Sequence, residues 1–221
     1  MKIKWLGHAG FRIDDLIVDP WTKEMPGFGL KNNYEFSAAD KQGVNVVCSS
    51  HSHEDHFLGG FELAKEANAV FVAGMELATE AMKAGCKAEF MNVGGTIETN
   101  GWKISMVPAV HSASTNPGGF VFQKGGKTIY HAGDTGLTKE MEFIGKQFAI
   151  DVALLPIGGR FTMDADAAVK AVKLLKPKVV VPMHYNTFPM IAADAGFFKK
   201  RIEKETKTNA VLLSLGEETE I

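Results

Sequence analysis

The sequence has few cysteines, no marked excess of either charge and no long hydrophobic run, and each lack excludes a class of protein. Two cysteines among 221 residues cannot form a disulfide framework. The 24 basic and 26 acidic residues give a net charge of −2, which disfavours a module built to bind nucleic acid. No apolar run approaches the roughly 18 residues that span a bilayer, and residues 1–10 lack the apolar core of a signal peptide. We therefore expect a soluble, cytoplasmic protein without a membrane partner and with nucleic acid an unlikely partner.

The chain does contain short apolar runs that alternate with amphipathic stretches. The runs predict strands at residues 44–50, 69–73, 103–110, 119–130 (a hairpin), 151–157, 179–183 and 210–215. Helical patterns lie between them, at residues 61–67, 75–84, 139–148, 165–176 and 192–206. This alternation predicts an α/β fold with helices over mixed sheets, and the length favours one domain that spans residues 1–221.

Two weakly similar segments indicate that the chain consists of two related halves. Residues 10–13 lead to Asp19, and residues 119–122 lead to Asp134. Each segment resembles a hairpin that ends in an aspartate. We interpret this similarity as a sign of duplication.

Residues 20–39 form the least regular stretch and carry four aromatic side chains. Trp21, Phe28, Tyr34 and Phe36 lie here among glycines and asparagines. Such a loop is either a plug over the core or a wall of a substrate pocket, because a compact domain rarely keeps a long loop without a use. We favour the wall, with Phe28 as a substrate contact.

Histidine is concentrated in one hexapeptide. His51, His53, Asp55 and His56 fall within six positions directly after the apolar run 44–50. Residues two apart in an extended backbone point to the same side, so His51 and His53 can hold one metal ion together. If the chain then turns into a helix, Asp55 and His56 come round to the same place and can hold a second ion. A solvated turn with chance histidines is the weaker interpretation, because crowded uncharged histidines have little structural use.

Three more residues of ligand type stand at the ends of predicted strands. His111 follows the run 103–110, Asp134 follows the hairpin 119–130, and His184 follows the run 179–183. The carboxyl ends of strands are where α/β sheets place their sites, so these residues are expected near the hexapeptide. Asp134 has two oxygens and could bridge two metal ions.

The H-x-H-x-D-H motif, a later single histidine, the G-D-T turn at 133–135 and a histidine after an apolar strand together resemble the metallo-β-lactamase fold superfamily. Within it, the segments WLGHA at 5–9, LPIGG at 155–159 and MHY at 183–185 resemble a branch of metal-dependent hydrolases related to the ascorbate-6-phosphate lactonases. The resemblance covers the whole chain. It implies a four-layer αββα sandwich of two similar halves with mixed sheets. By the family pattern, one metal ion is bound by His51, His53 and His111, and the other by Asp55, His56 and His184, with Asp134 as the bridge.

Two departures separate the sequence from other branches of that superfamily. The best-known β-lactamases carry a cysteine near the place of Asp134, so antibiotic hydrolysis is not expected. Redox di-iron relatives replace the second histidine of the motif by a carboxylate, whereas His53 stands here. Reduction of oxygen or nitric oxide is therefore not expected either.

The charges of such a site predict a hydrolytic mechanism. Two divalent ions carry more positive charge than Asp55 and Asp134 neutralise, and the remaining field stabilises a metal-bridging hydroxide. We expect this hydroxide to attack a small, anionic ester-type substrate, a phosphodiester or a lactone. All the ligands offer nitrogen or oxygen, so Zn²⁺ is the expected metal, with Mn²⁺ or Fe as alternatives. Asp55 is assigned a catalytic role besides its metal.

Further residues are candidates by their position alone. His8, in a turn between Gly7 and Ala9, is expected to orient the substrate or a ligand and is the second catalytic candidate. Arg160 follows two glycines after a strand and could meet an anion. Tyr185 adjoins His184 and is a candidate for substrate contact. His131 either supports a ligand or simply packs.

Three other functions compete with the hydrolase of small esters. A glyoxalase-type thioesterase would use the same ligands. An RNA-processing nuclease would need an added basic arm, and no Lys/Arg block provides one. A non-catalytic sensor with a structural metal site would not need an open binuclear centre. The expected partner is a small-molecule substrate, and a homo-oligomer is allowed for.

Overall fold

Fourteen strands form two mixed sheets of seven strands each, and the structure, a computed structural model, describes residues 1–221. The first sheet contains β1 (Lys2–Trp5), β2 (Phe11–Ile13), β3 (Leu16–Val18), β4 (Val46–Ser49), β5 (Val70–Gly74), β6 (Lys87–Met91) and β14 (Glu218–Glu220). The second contains β7 (Thr96–Thr99), β8 (Trp102–Pro108), β9 (Gly118–Lys124), β10 (Lys127–His131), β11 (Val152–Pro156), β12 (Val179–Met183) and β13 (Asn209–Ala210).

The two sheets repeat one pattern of strand pairing. The first has the order β14-β1-β2-β3-β4-β5-β6 and the second the order β7-β8-β9-β10-β11-β12-β13. In both, a run of antiparallel strands continues into a run of parallel ones, and the change occurs at β3 in the first sheet and at β10 in the second. The predicted α/β fold with two similar halves and mixed sheets is confirmed.

Seven α-helices and a short 3-10 turn accompany the sheets. The first half carries α1 (Ala38–Lys41), α2 (Glu54–Phe57), α3 (Gly60–Glu66) and α4 (Met75–Lys83). The second half carries α5 (Glu140–Gln147), α6 (Ala165–Leu175), the 3-10 turn Pro189–Ile191 and α7 (Ala195–Glu205). None of these helices has the length and apolar character that crossing a membrane requires.

Strand β4 shows why the layers stack as they do. Val46 and Cys48 face the large core between the two sheets, whereas Val47 faces the smaller core under α3 and α4. Alternate residues of a strand point to opposite faces, so a strand that is apolar throughout is buried on both sides. The order of layers is therefore helix, sheet, sheet, helix.

The C-terminal end of the chain differs from its prediction. The run 210–215 predicts a strand, but only Asn209–Ala210 pairs with β12. The chain then crosses to the first sheet, where Glu220 pairs opposite Lys2. The edge strands β6, β7 and β14 and the inner strand β1 are not predicted from the sequence, because each carries charged or polar residues at exposed or half-buried positions.

Helix caps decide two of the helical boundaries. Asp164 accepts a hydrogen bond from the backbone N–H of Ala167 and so caps α6, which begins at residue 165 as predicted. The last helix is predicted from residue 192 but begins at Ala195, because Asp194 caps it by accepting from the N–H of Phe197. The 3-10 turn Pro189–Ile191 lies before this helix.

Candidate metal centre

The hexapeptide lies at the carboxyl end of β4, in the transition from strand to helix. His51 lies in the bend after β4, and His53 is the residue of extended backbone before the first turn of the helix. The short helix α2 then carries Asp55 and His56 round to the same side. The predicted turn into a helix is present, and it collects four side chains of ligand type from six positions.

Eight side chains form two adjoining groups, each able to hold a metal ion. Within a group, one potential ligand atom of every residue lies within 4.8 Å of the others. The groups are His51, His53, His111 and Asp134, and His8, Asp55, His56 and His184. All seven residues predicted as ligands are thus brought together, with His8 added to the second group.

Hydrogen bonds indicate which nitrogen His53 and His51 offer to the first group. The Nε2 atom of His53 donates to the carbonyl oxygen of Ala113 at 2.9 Å, which leaves the Nδ1 lone pair free. That Nδ1 lies 3.1 Å from Nε2 of His111. The Nδ1 atom of His51 lies 2.9 Å from the hydroxyl of Ser50, and its buried Nε2 atom has no partner. His53 and His51 thus each direct an unprotonated nitrogen at the group.

Asp19 orients His56, a histidine of the second group, through a hydrogen bond. The Nδ1–H of His56 donates to Oδ2 of Asp19 at 2.8 Å, so the Nε2 atom of His56 carries the lone pair. That Nε2 is buried without a hydrogen bond and faces Oδ1 of Asp134 at 3.3 Å. A carboxylate behind a histidine orients the ring and makes it a better ligand.

Asp134 lies between the two groups. Its Oδ2 atom is 3.6 Å from Nε2 of His111 in the first group and 3.1 Å from Nε2 of His184 in the second. Its Oδ1 atom is buried and has no hydrogen-bond partner. Gly133 makes this placement feasible, because it has a φ of +58° and a Cβ there would lie 2.7 Å from the carbonyl oxygen of Gly118.

The orphaned atoms test whether the residues fit a metal. Buried polar atoms are nearly always paired, yet Nε2 of His51, His56 and His184 and Oδ1 of Asp134 are not. Nitrogen and carboxylate oxygen are ordinary ligands of Zn²⁺. The donor set therefore fits one or two divalent ions.

The pKa directions of His51, His111 and Asp134 agree with that fit, whereas His56 would have to give up a proton to a metal ion. Burial lowers the pKa of His51 and of His111, so both are neutral near pH 7, as metal ligands must be. Burial favours the neutral form of Asp134 too, but His184 and His56 outweigh it and hold the pKa of Asp134 well below its usual range. For His56, burial is outweighed by the carboxylates of Asp134, Asp19 and Asp55, which raise its pKa. Three carboxylates around one imidazole call for positive charge, which a metal ion would supply.

His8 reaches the second group from the turn after β1. Its Nε2 atom lies 3.1 Å from Oδ2 of Asp55, and its Nδ1 atom lies 3.0 Å from the hydroxyl of Thr187. Burial, with the nearby His184, lowers the pKa of His8 to about 4, so the ring is neutral. The backbone N–H of His184 also donates to the carbonyl of His8 at 3.0 Å. One turn of the first half thereby positions residues of both halves.

Two supporting residues complete the site. Asp19 accepts hydrogen bonds from the N–H and the hydroxyl of Ser50, both at 2.7 Å, besides the one from His56. His131 lies 2.9 Å from the carbonyl of Ala9 through Nε2 and accepts from the N–H of Gly133 through Nδ1. His131 therefore ties the turn before Asp134 to the first half of the chain.

A cavity of about 610 Å³ opens onto the two groups. Phe28 and Arg160 line it, as their predicted roles require. Tyr185 does not line it, because its ring is buried and stacks on Trp5 at 5.5 Å. The prediction of Tyr185 as a substrate contact is therefore corrected to a packing role.

Comparisons with known proteins agree with this geometry. Residues 2–184 match the sequence model of the β-lactamase superfamily domain. A UPF0173 metal-dependent hydrolase of Nanoarchaeum equitans is 46% identical, over all of both chains. This chain belongs to that family of metal-dependent hydrolases. Another member, from Methanocaldococcus jannaschii, is 42% identical over 91% of this chain and 92% of its own. The solved structure of Igni18, a metallo hydrolase from Ignicoccus hospitalis, superposes with a TM-score of 0.87 and 36% identity, covering 99% of this chain and 97% of its own.

The loop at residues 20–39 of the hydrolase combines both interpretations that its sequence allows. Trp21 is fully buried, and its ring meets His8 edge-on at 5.2 Å. Tyr34 and Phe36 pack against the smaller core. Of the four aromatic side chains in the loop, only Phe28 extends into solvent, and it does so beside the cavity. The loop is a plug at its two ends and a wall at its tip.

Sequence reasoning assigned no role to Asp19 or Thr187. The similarity of the two hairpins was the available signal for Asp19, since it ends the first hairpin as Asp134 ends the second. No local pattern marks Thr187, which meets His8 only through the long-range fold.

Proposed function

We propose that this hydrolase cleaves a small, anionic ester-type substrate, a phosphodiester or a lactone, at a centre of two divalent metal ions. His51, His53 and His111 would hold one ion, Asp55, His56 and His184 the other, and Asp134 would bridge them. Such ions lower the pKa of water and stabilise the negative charge that develops on the substrate. Zn²⁺ suits the donors, and Mn²⁺ or Fe would also be accepted.

One observation carries this proposal: four buried ligand atoms lack hydrogen-bond partners and belong to one cluster. An unpaired buried nitrogen or carboxylate oxygen costs free energy, so a cluster of them is retained only where something binds. The distances from Asp134 to His111 and to His184 support a bridging role rather than membership of one group.

The chain's own residues hold the reacting groups in place. The partly buried carboxylate of Asp55 is kept ionised, since His56 and His8 outweigh the effect of burial and lower its pKa. It can accept a hydrogen bond from the attacking water and orient it. The neutral His8 donates to Asp55 and keeps that carboxylate in one rotamer. Asp55 is therefore the catalytic residue and His8 its positioning partner.

Metal analysis paired with a substrate panel tests the proposal. We expect about two ions per chain after gentle purification, and turnover of a chromogenic phosphodiester or lactone that is lost on chelation and restored by added metal. A single tightly bound ion, with no second ion under added metal, would contradict the binuclear centre. Turnover of a thioester alone would identify the glyoxalase-type alternative instead.

A further inference from the structure

The cavity beside the metal centre has an apolar wall of unusual extent for a site made of histidines and carboxylates. Three separate segments contribute to it: the loop before α1, the turn after β11 and the turn after β12. The apolar members are Met25, Phe28, Leu30, Phe161, Phe188 and Met190. These three segments are far apart in the sequence, and the fold brings their apolar side chains together at one cavity.

The wall is exposed although a backbone hydrogen bond closes the turn that carries Phe28. Phe28 is 73% exposed, Phe161 46% and Met190 47%. The N–H of Met25 donates to the carbonyl of Leu30 at 2.7 Å, which closes the turn that carries Phe28. Large apolar side chains held in water on an ordered support mark a surface that a ligand covers.

Arg160 provides a cation within the same cavity. It makes no ion pair with any carboxylate, and its guanidinium lies 5.6 Å from the ring of Phe161. Its backbone has a φ of +35°, which is uncommon for a residue with a side chain and is often found at ligand sites. The N–H of Met163 donates to the carbonyl of Thr135 at 3.0 Å, so the turn that carries Arg160 is fixed next to Asp134.

Glu54 limits how much negative charge the cavity accepts. Its side chain lines the cavity, and no lysine or arginine is paired with it. One arginine and one glutamate without a basic partner in the same cavity suit a ligand with a single anionic group. A polyanion such as RNA would meet repulsion there.

We infer that the substrate is an amphipathic monoanion: an apolar chain or ring that covers the wall headed by Phe28, and one anionic group that pairs with Arg160, placed so that the scissile bond lies at the metal centre. This inference rests on the proposed function and adds the substrate class. The cavity volume is that of sites for drug-sized ligands, so the apolar body fills it without a macromolecule.

Calorimetric titration of the metal-loaded protein with alkyl sulfonates tests the inference without any turnover. Sulfonate is a weak ligand for metal ions, so the probes report on the wall and on Arg160. We expect octane-1-sulfonate to bind at least about tenfold more tightly than ethane-1-sulfonate, because six more methylene groups leave water. Phe28→Ala should weaken octane-1-sulfonate by about fivefold or more, and the matched control Phe143→Ala, at a site 69% exposed on α5, should not weaken it.

The charge is tested by Arg160→Gln and Arg160→Lys. We expect Arg160→Gln to weaken octane-1-sulfonate by about fivefold or more while leaving the neutral methyl octyl sulfone unchanged, and Arg160→Lys to recover part of the lost affinity. Binding that ignores chain length, or that Arg160→Gln does not change, would overturn the inference. The ester panel is a separate readout: if no ester is hydrolysed but these binding differences are present, the proposed function fails and the binding surface stands. If esters are hydrolysed but the binding differences are missing, the reverse holds.

Discussion

Each half of the hydrolase ends a hairpin in a buried aspartate, and the two aspartates differ in their hydrogen bonds. Asp19 directly follows β3, whereas Ala132 and Gly133 separate Asp134 from the end of β10. The added residues carry Asp134 away from its sheet and between the two histidine groups. Asp19 stays behind His56.

Asp19 is saturated and Asp134 is not. Asp19 accepts three hydrogen bonds, two from Ser50 and one from His56. Asp134 keeps one buried oxygen without any partner. Both residues are aspartates that follow the second strand of a hairpin, and they differ in their distance from that strand and in the saturation of the carboxylate, which together separate a positioning residue from a candidate ligand.

The largest expected effect is that of Asp134→Asn. The amide keeps the shape but removes the charge and one acceptor oxygen, so the two histidine groups would lose the ligand that we propose they share. We expect turnover to fall by at least about 1,000-fold, a barrier change of ~4 kcal/mol, with loss of one metal ion per chain. Elemental analysis and kinetics on the same preparation measure both. Near-normal turnover with two ions retained would show that Asp134 is no bridge.

Asp19→Asn breaks the comparison from the other side. An amide cannot accept both the Ser50 hydrogen bonds and the Nδ1–H of His56, so the imidazole loses its fixed tautomer. We expect the affinity of the weaker metal site to fall by about 10- to 100-fold, with turnover restored by excess metal. A competition titration against a chelator measures it. If excess metal did not restore turnover, Asp19 would act directly in metal binding or catalysis, as is proposed for Asp134.

The sequence was sufficient to predict the ligand cluster but not its supports. The ligand-type residues of the hexapeptide can be recognised because they are close in sequence, and a strand followed by a helical turn brings them to one side. These residues are His51, His53, Asp55 and His56. Thr187 and Asp19 act through hydrogen bonds between distant segments, and nothing local distinguishes them from surface residues. The edge strands β6 and β7 cannot be predicted for a related reason: most of their residues are exposed or half-buried, so they contain no buried apolar run.

His8 sharpens the comparison because Asp55, unlike either hairpin aspartate, is half satisfied. One of its oxygens meets His8 at 3.1 Å. We expect His8→Ala to lower turnover by about tenfold with metal content unchanged, and His8→Gln, which keeps a donor, to recover part of the loss. Loss of the second ion in His8→Ala would make His8 a ligand instead, as its place in the second group also allows.

The smallest expected effect comes from a third buried aspartate that is saturated and far from any ligand group. Asp40 accepts from the N–H and the hydroxyl of Ser37, from the hydroxyl of Tyr34 and from the ammonium of Lys4. Burial favours its neutral form, but Lys4 and Ser37 outweigh burial and lower the pKa of Asp40 to about 2. The folded pKa is below the unfolded value near 4, so this stabilisation is complete above about pH 4 and is lost as the pH falls towards 2. Asp40→Asn should therefore cost about 1 kcal/mol of unfolding free energy at pH 7, a value discounted because Lys4 is partly exposed, and progressively less below pH 4. Urea unfolding of both proteins in the same metal state measures the difference. Metal content and turnover should not change. A change in either would show that Asp40, although far from the ligand groups, also supports the candidate metal centre.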